Sequence, residues 1–232
     1  GHHVGLIYSN AIDLINGKLP YQEIFIQYGF LTTLIHSIIL LVFDNKVFFL
    51  SFFNIIFYLL GVLFIGNCIN ILTNKNYSLI ASCILLFNHP IPWLPWSNYL
   101  AFFFISISLF ILLKKKGFFL TSLFLSLAVL CRQDYFVPIV ISAITFFIFY
   151  FFDKNKIYIK NIIKILLGFF LPIIIFLSYL YFLNIYDVWF KYLIIPQYYL
   201  ELYNTTIVRL ILDFISFFFT DSFFNFISAP QF

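Results

Sequence analysis

Charged residues are scarce in this chain: they make up 9% of its 232 residues, compared with roughly 25% in soluble domains. Hydrophobic residues account for 63% and aromatic residues for 24%, and the mean hydropathy is +1.04. So few charges argue against a water-soluble domain. The net charge of +4 is small, and the basic residues lie at the ends of apolar runs instead of forming a stripe, which argues against nucleic-acid binding. The composition is that of an integral membrane protein.

Methionine is absent, whereas phenylalanine occurs 36 times. Because an initiator methionine is missing, we expect residues 1–232 to be a single transmembrane domain and a fragment of a longer protein, with an N-terminal helix and a C-terminal part outside it. The abundance of Phe, Ile, Asn, Lys and Tyr indicates an AT-rich genome, so codon usage explains part of the aromatic excess.

Cysteine is limited to Cys68, Cys83 and Cys131, all within or beside apolar runs. These residues lack the CxxC or CxxH spacing of metal sites and redox disulfides. We therefore predict that all three thiols are buried packing residues.

A polar segment, residues 1–30, precedes the apolar runs. Two adjacent histidines, His2 and His3, stand at its start, and a Gly-Lys-Leu-Pro-Tyr turn leads to Glu23. Residues 8–16 carry apolar side chains at helical spacing, which predicts an amphipathic helix lying on the membrane surface. We expect residues 1–30 to form a juxtamembrane loop, and the site to lie there.

The rest of the chain reads as a series of apolar helices, so the predicted fold class is all-α: a polytopic membrane helical bundle with interfacial amphipathic helices. The run 30–43 is shorter than the roughly 20 residues that a crossing needs, so we expect it to re-enter without crossing. The other predicted helices cover 47–72, 77–87, 99–113, 117–131, 135–152 and 165–183, followed by an interfacial helix within 184–206 that is broken at Pro196 and a last helix from 207.

Lysine clusters give the topology. Three lysines at 114–116 and four in the segment 153–164 place these links in the cytoplasm by the positive-inside rule. The polar loops at 88–98, 132–134 and 184–206 then face the extracytoplasmic side. Re-entry of residues 30–43 brings residues 1–30 to that same side.

Four stretches, in this order, resemble the bacterial GT-C-type glycosyltransferases that use polyprenyl-phosphate-linked sugars. The similarity covers nearly the whole chain, and the first stretch is the most specific. The stretches are GHHVGLIYSNAIDLINGKLPYQEIFIQYGFLTT at 1–33, LPWSNYLAFFF at 94–104, LSLAVLCRQDYF at 125–136 and, more weakly, DVWFKYLIIP at 187–196.

The resemblance implies a multi-pass enzyme of the bacterial cytoplasmic membrane that transfers a sugar to a glycan, lipid or protein acceptor. In the family an acidic residue of the first extracytoplasmic loop acts as general base. Counted back from the Pro-Tyr turn, that position falls at His2 or His3, or upstream of Gly1. Either the histidine pair replaces the acid, or the acid lies outside this chain.

Sugar transfer needs a base for the acceptor hydroxyl and a cation for the departing phosphate. His2, His3 and Glu23 are the catalytic candidates, since an imidazole or a carboxylate can take the proton. Glu23 fits equally a role in orienting its loop. Arg132 is the phosphate candidate because a guanidinium can form two parallel bonds to phosphate; its alternative is an ion pair with Asp134.

The remaining substrate-binding candidates are polar or aromatic residues near these groups: Gln27, Tyr28, Trp96, Asn98, Gln133 and Asp134. Tyr28 and Trp96 have a simpler alternative, since Tyr and Trp also anchor helices at membrane interfaces. His2 and His3 could bind a divalent metal, but spacing fixes no third ligand, so the metal ligands stay unknown and no cofactor is certain.

A different class of membrane protein would share some of these features. A membrane carrier or lipid flippase would also have many crossings, broken helices and charges such as Arg132 and Asp134. It predicts internal repeats and charges near the bilayer centre, whereas this sequence shows no repeats and places its charges at helix ends.

Overall fold

The computed structural model describes residues 2–26, 28–88, 95–114, 117–152 and 159–194. Within these ranges all regular secondary structure is helical, which confirms the all-α class. The chain divides into two compact units, residues 1–185 and 186–232. Only residues 186–194 of the second unit are described, and they contain one helix.

The first unit contains eight α-helices and a short 3-10 turn among its described residues. Their bounds are α1 His2–Ile15, α2 Phe30–Val42, α3 Val47–Leu72, α4 Lys75–Asn88, α5 Ser97–Leu113, α6 Phe118–Cys131, the 3-10 turn Gln133–Tyr135, α7 Phe136–Phe152 and α8 Ile159–Phe182. In the second unit, α9 covers Tyr186–Ile194.

Two helices start six residues earlier than predicted. Helix α1 begins at His2 instead of residue 8, because Ile7 lies one turn before Ala11 and extends the buried face. Helix α8 begins at Ile159 instead of 165, so Lys160 and Lys164 form part of its first turns and not of a loop. Long basic side chains at a helix end keep their charge in water while the helix continues.

Two described helices, Val47–Leu72 and Lys160–Phe182, are long and apolar enough to cross a membrane, each with a mean hydropathy of 2.4 over its most apolar window. Helices α2, α4, α5 and α6 have 13 to 17 residues. At 1.5 Å per residue they extend about 20–26 Å, against a hydrocarbon core of about 30 Å.

Helix α3 connects two tiers of the first unit. Its N-terminal half packs with α1 and α2, where Leu50 is fully buried with Ala11 and Leu40. Its middle and its C-terminal half pack with α4 and α5, and at the middle Tyr58 and Tyr99 lie 5.5 Å apart between ring centroids. The tiers therefore meet near the middle of α3.

Small residues let several helices of the first unit approach closely. Gly66 of α3 accepts a 2.6 Å hydrogen bond at its carbonyl from Ser78 Oγ of α4. Gly168 of α8 lies against the backbone of Phe119 and the hydroxyl of Ser122 in α6, with no room for a methyl group. This packing through glycine and serine is typical of helices that associate in membranes.

The prediction of buried cysteines is correct for Cys68 and Cys131 and wrong for Cys83, which is exposed. Helix α4 packs on α3 through Ser78 and Ser82, which lie near Gly66. Cys83 is one residue further along, about 100° around the helix at 3.6 residues per turn, and so faces away from α3.

One end of the unit gathers four elements. The N-terminus of α2 meets the C-terminus of α8, where the ring of Phe30 stacks on Phe176 at 5.5 Å and on Tyr179 at 5.2 Å. The C-terminus of α6 and the first turns of α5 meet there too, through the fully buried Cys131 and Leu100. The candidate site is at this junction.

Candidate functional site

The turn after α1 gives the N-terminal segment its shape. Gly17 has a φ of +81°, a left-handed conformation that suits glycine, and it ends the helix. The chain then folds back so that the Tyr21 N–H donates to the Ile24 carbonyl at 3.1 Å. Glu23 stabilises this turn, because its Oε2 accepts the Leu19 N–H at 2.7 Å. The carboxylate of Glu23 therefore orients the loop.

Side chains of α1 hold the same loop against the helix. Asn10 Nδ2 donates to the Phe25 carbonyl at 2.7 Å, and Asn10 is 8% exposed. Asp13 of α1 pairs with Lys18 at 2.8 Å. Because of these contacts, the loop runs back along α1 to the start of α2.

The loop then docks on the C-terminus of α6. The Gly29 N–H donates to the Cys131 carbonyl at 3.1 Å, and the Thr32 hydroxyl donates to the same oxygen at 2.9 Å. The contact is so close that a Cβ at Gly29 would overlap the backbone of Leu130 and Cys131. Two segments a hundred residues apart are thus joined backbone to backbone.

This docking places Tyr28 beside Arg132. The guanidinium carbon of Arg132 lies 5.6 Å from the ring centroid of Tyr28 and 5.5 Å from that of Tyr135, both within cation–π range. Gln133 Nε2 lies 3.4 Å from the Tyr21 hydroxyl, a second contact between the two segments.

Arg132 also forms the ion pair considered as its alternative role. Its Nε donates to both carboxylate oxygens of Asp134 at 2.8 and 2.9 Å, and its Nη2 donates to Oδ2 at 2.7 Å. The hydrogen bonds and the charge of Asp134 raise the pKa of Arg132 above its ordinary value, although partial burial opposes this. The guanidinium is therefore charged at every physiological pH.

The pair leaves part of Arg132 accessible. Its side chain is 24% exposed and that of Asp134 is 56% exposed. Among the described residues, no hydrogen bond involves Nη1 of Arg132, so this nitrogen and its two protons are open to an external acceptor.

A large apolar cavity of about 560 Å³ lies beside this group. Tyr135, whose ring contacts Arg132, forms part of its wall. The other wall residues come from α5, α6, α7 and α8 and are nearly all apolar, including Leu109, Phe118, Leu125, Ile139 and Ile165. The arrangement combines a cation with a space suited to a hydrocarbon chain.

A second, much smaller cavity of about 20 Å³ lies between α1, the end of the loop and α2. Tyr28 lines it together with His36, which is 1% exposed. His36 Nε2 is 3.5 Å from the amide nitrogen of Asn54 on α3. Tyr28 in the wall of the small cavity and Tyr135 in the wall of the large one both contact Arg132.

The structure brings together four of the residues predicted for the site: Tyr28, Arg132, Gln133 and Asp134. The remaining predictions lie elsewhere or outside the described residues. Glu23 is on the preceding turn, and Trp96 and Asn98 are half-buried at the start of α5. His2 and His3 are in the first turn of α1, but their side chains are outside the described part of the chain. Gln27 is outside the described residues altogether.

Sequence reasoning missed the residues that make the junction. Tyr135 could have been noticed as an aromatic residue next to Arg132, whereas Gly29 and Thr32 give no signal, because their role depends on a carbonyl of α6. Trp96 packs beside Tyr58 and Tyr99, where α3 meets α5. That contact explains its burial without any ligand.

Among the described residues no three His, Cys, Asp or Glu side chains form a group that could hold a metal ion. Comparison with protein-family models, with curated proteins and with solved structures finds no match for this chain. The function must therefore be argued from the geometry of the junction.

Proposed function

We propose that the protein is a glycosyltransferase of the bacterial cytoplasmic membrane that transfers a sugar from a polyprenyl-phosphate-linked donor to a glycan, lipid or protein acceptor. The observation that carries the proposal is the position of Arg132. A charged guanidinium stands between two aromatic rings, next to a large apolar cavity.

The two parts of this arrangement match the two parts of a lipid-linked donor. An isoprenoid chain is a flexible hydrocarbon, and the cavity between α5 and α8 offers it about 560 Å³ of almost wholly apolar surroundings. A phosphate at the end of such a chain would lie near Tyr135 and within reach of Arg132.

Asp134 does not prevent this role. The Arg132–Asp134 pair is partly exposed, and exposed ion pairs contribute little to stability because water screens them. The free Nη1 can bind a phosphate oxygen without breaking the contacts of Nε and Nη2 to Asp134. As the sugar leaves, negative charge grows on the phosphate, and a cation held in place stabilises it.

The proposed orientation rests on the helix ends. Lys114 follows the last turn of α5, while Leu100 in its first turns packs with Cys131 at the junction. Helix α5 therefore separates Lys114 from the junction by about 20 Å, or 1.5 Å per residue. With the lysines in the cytoplasm, the junction faces the extracytoplasmic side.

Helix α2 fits the expectation that it does not cross the membrane. It meets α6 end to end, through Gly29, Thr32 and Cys131, and packs along the N-terminal half of α3. Its 13 residues extend about 20 Å, short of a bilayer crossing. Together with the candidate spans α3 and α8, this supports a multi-pass protein with residues 1–30 outside the cytoplasm.

The acceptor would enter from the side of α1. His2 and His3 stand in its first turn and remain the candidates for general base, unless an acidic residue upstream of Gly1 serves. Glu23 is assigned to the loop because its carboxylate already accepts the Leu19 N–H.

The test is transfer by the purified protein. The full-length protein, reconstituted in lipid nanodiscs, is given a radiolabelled polyprenyl-phosphate sugar and a crude extract of envelope acceptors, and the label leaving the lipid is counted. Arg132→Ala should abolish transfer, and Arg132→Lys should recover only part of it, because an ammonium lacks the planar pair of donors.

Lys18→Ala is the matched control, because Lys18 is also an ion-paired cation of the extracytoplasmic segment, and its turnover should equal that of the wild type. Equal turnover by Arg132→Ala would remove the phosphate role. Movement of labelled lipid across proteoliposomes without sugar transfer would show a carrier or flippase instead.

A further inference from the structure

Tyr135 belongs both to the surroundings of Arg132 and to the wall of the large apolar cavity. The other ring against the guanidinium, that of Tyr28, lines the small cavity instead. Tyr135 was not among the residues expected to bind substrate, and the phosphate role proposed for Arg132 does not yet use it. Its ring is the contact between the cation and the space suited to a hydrocarbon chain.

The ring of Tyr135 has little freedom to move. Tyr135 ends the 3-10 turn that follows α6, and its N–H donates to the Arg132 carbonyl at 3.2 Å. The side chain packs on the fully buried cluster where α5 meets α6, formed by Leu100, Ala101, Ala128 and Cys131. A ring with only two side-chain torsions, packed on a dense cluster, offers a fixed surface to its neighbours.

The contact between Tyr135 and Arg132 joins a cation to a neutral ring. Partial burial raises the pKa of Tyr135 above its ordinary value, so the phenol keeps its proton at neutral pH. The guanidinium carbon lies 5.5 Å from the ring centroid, within the range in which the negative face of a ring attracts a cation. This attraction is stronger where water is partly excluded, as it is beside a buried cluster.

Asp134 compensates the charge of Arg132 but does not tie it to the cavity. Its side chain is 56% exposed, and among the described residues its carboxylate bonds only to Arg132, two positions away in the chain. The pair can therefore turn into water as a unit without losing its own hydrogen bonds. The two rings oppose this movement, and Tyr135 is the ring that also borders the cavity.

We propose that Tyr135 is a positioning residue that holds the Arg132 guanidinium beside the large cavity, so that the site selects a phosphate carried on a hydrocarbon chain over free phosphate. The inference rests on the proposed function, since it takes the lipid phosphate as the ligand of Arg132.

The selectivity follows from where each ligand can stand. A hydrocarbon chain in the cavity fixes the position of its phosphate, so the cation must be held within reach of that position. Free phosphate has no such restriction and binds the guanidinium wherever it lies. A lipid alcohol fills the cavity but carries no charge, so its binding does not depend on Arg132. Loss of the ring should therefore weaken the binding of the lipid phosphate alone.

The test is binding of polyprenyl phosphate to the full-length protein in nanodiscs, with no sugar and no acceptor present. The radiolabelled lipid phosphate gives a dissociation constant, and polyprenol and inorganic phosphate are measured as competitors. Tyr135→Leu keeps an apolar side chain in the cavity wall but removes the ring. It should weaken the binding of the lipid phosphate about fivefold, the size of one cation–π contact, and leave both competitors unchanged.

Two further variants separate the parts of the tyrosine. Tyr135→Phe keeps the face of the ring without the hydroxyl and should bind like the wild type. Tyr135→pentafluorophenylalanine keeps the shape but removes the negative charge of the face, so it should weaken binding as leucine does. It also replaces the leucine variant should that variant fail to fold. Tyr77→Leu, a change at an exposed tyrosine of α4, is the matched control and should have no effect.

A double variant shows whether Tyr135 acts through Arg132. In the Arg132→Ala background, Tyr135→Leu should cause no further loss of affinity, because the ring then has no cation to hold. An equal loss with and without Arg132 would overturn the inference. So would a Tyr135→Phe variant as weak as Tyr135→Leu, which would make the hydroxyl the binding group, or an equal loss for polyprenol, which would give the ring a role in shaping the cavity only.

The outcome is separable from that of the transfer assay. Because no sugar is present, failure of sugar transfer leaves the binding experiment unaffected. Unchanged lipid-phosphate binding by Arg132→Ala would remove the phosphate role of Arg132 and this inference with it. Weaker binding by Arg132→Ala together with unchanged binding by Tyr135→Leu would reject the role of Tyr135 and leave that of Arg132 standing.

Discussion

Replacing Gly29 with alanine tests whether the docking of the N-terminal loop on α6 builds the site. Gly29 has a φ of −110° and a ψ of 147°, which alanine adopts without strain. The change therefore acts through space alone. A Cβ at this position would overlap the Leu130 carbonyl and the Cys131 backbone, and backbone atoms cannot move aside as a flexible side chain can.

The cost is similar whichever way the protein responds. If the loop stays, overpacking costs about 1–3 kcal/mol. If the loop withdraws, the hydrogen bonds from Gly29 N and Thr32 Oγ1 to the Cys131 carbonyl are lost, at about 1 kcal/mol each. We expect Gly29→Ala to lower the free energy of unfolding by about 2 kcal/mol on either route.

The free energy of unfolding is measured by equilibrium unfolding in detergent micelles. In a separate assay, the release of bound polyprenyl phosphate from the native protein is followed. Gly5→Ala is the control, since Gly5 is an exposed helical glycine with open space around it. That change should stabilise the helix by roughly 0.5–1 kcal/mol. Binding of the lipid phosphate should weaken in Gly29→Ala because Tyr28 is displaced from Arg132.

The docking argument would be refuted if Gly29→Ala unfolded with the same free energy as the wild type and bound the lipid phosphate equally well. Loss of stability with unchanged lipid binding would be just as informative. It would show that the contact supports the fold, but that the position of Tyr28 does not matter for the phosphate.

Three further predictions concern the packing and the topology. Tyr58→Phe removes a hydrogen bond from α3 to the Leu85 carbonyl of α4 and should cost about 1 kcal/mol in the same unfolding assay, whereas the exposed Tyr77→Phe should cost nothing measurable. Gly168→Ala should destabilise the α6–α8 pair, because its methyl group would meet the Phe119 carbonyl; a melting temperature equal to that of the wild type would contradict the packing. A periplasmic reporter enzyme fused at Gly17 should be active outside the cytoplasm and one fused at Lys114 inactive, while the opposite pattern would reverse the proposed orientation.

Much of the helical structure was predictable from the sequence. The limits of the run 47–72 match α3, and Gly17 marks the end of α1, because apolar runs and their glycine or polar breaks are local properties of the chain. The start of α8 was missed for the same local reason: Lys160 and Lys164 read as a loop, although a helix end accommodates both.

The candidate site was likewise predictable only where its residues are neighbours in the chain. The chemistry of Arg132 could be anticipated from its position beside Gln133 and Asp134 at the end of an apolar run. Its partner Asp134 could also be named, since the two residues are near neighbours in the chain.

What the tertiary structure alone decided is which distant groups lie together. The approach of Gly29 to Cys131 bridges about a hundred residues, and no local pattern predicts it, because the contact depends on how α2, α6 and α8 pack at one end. The same packing placed Tyr28 beside Arg132 and in the wall of the cavity that His36 lines. The amino-acid sequence by itself determined an apolar, all-helical chain with its charges at helix ends, since these features depend on composition and period. The tertiary structure determined that the polar N-terminal segment and the end of α6 form one junction, since only the folded backbone brings a glycine without a side chain against a carbonyl.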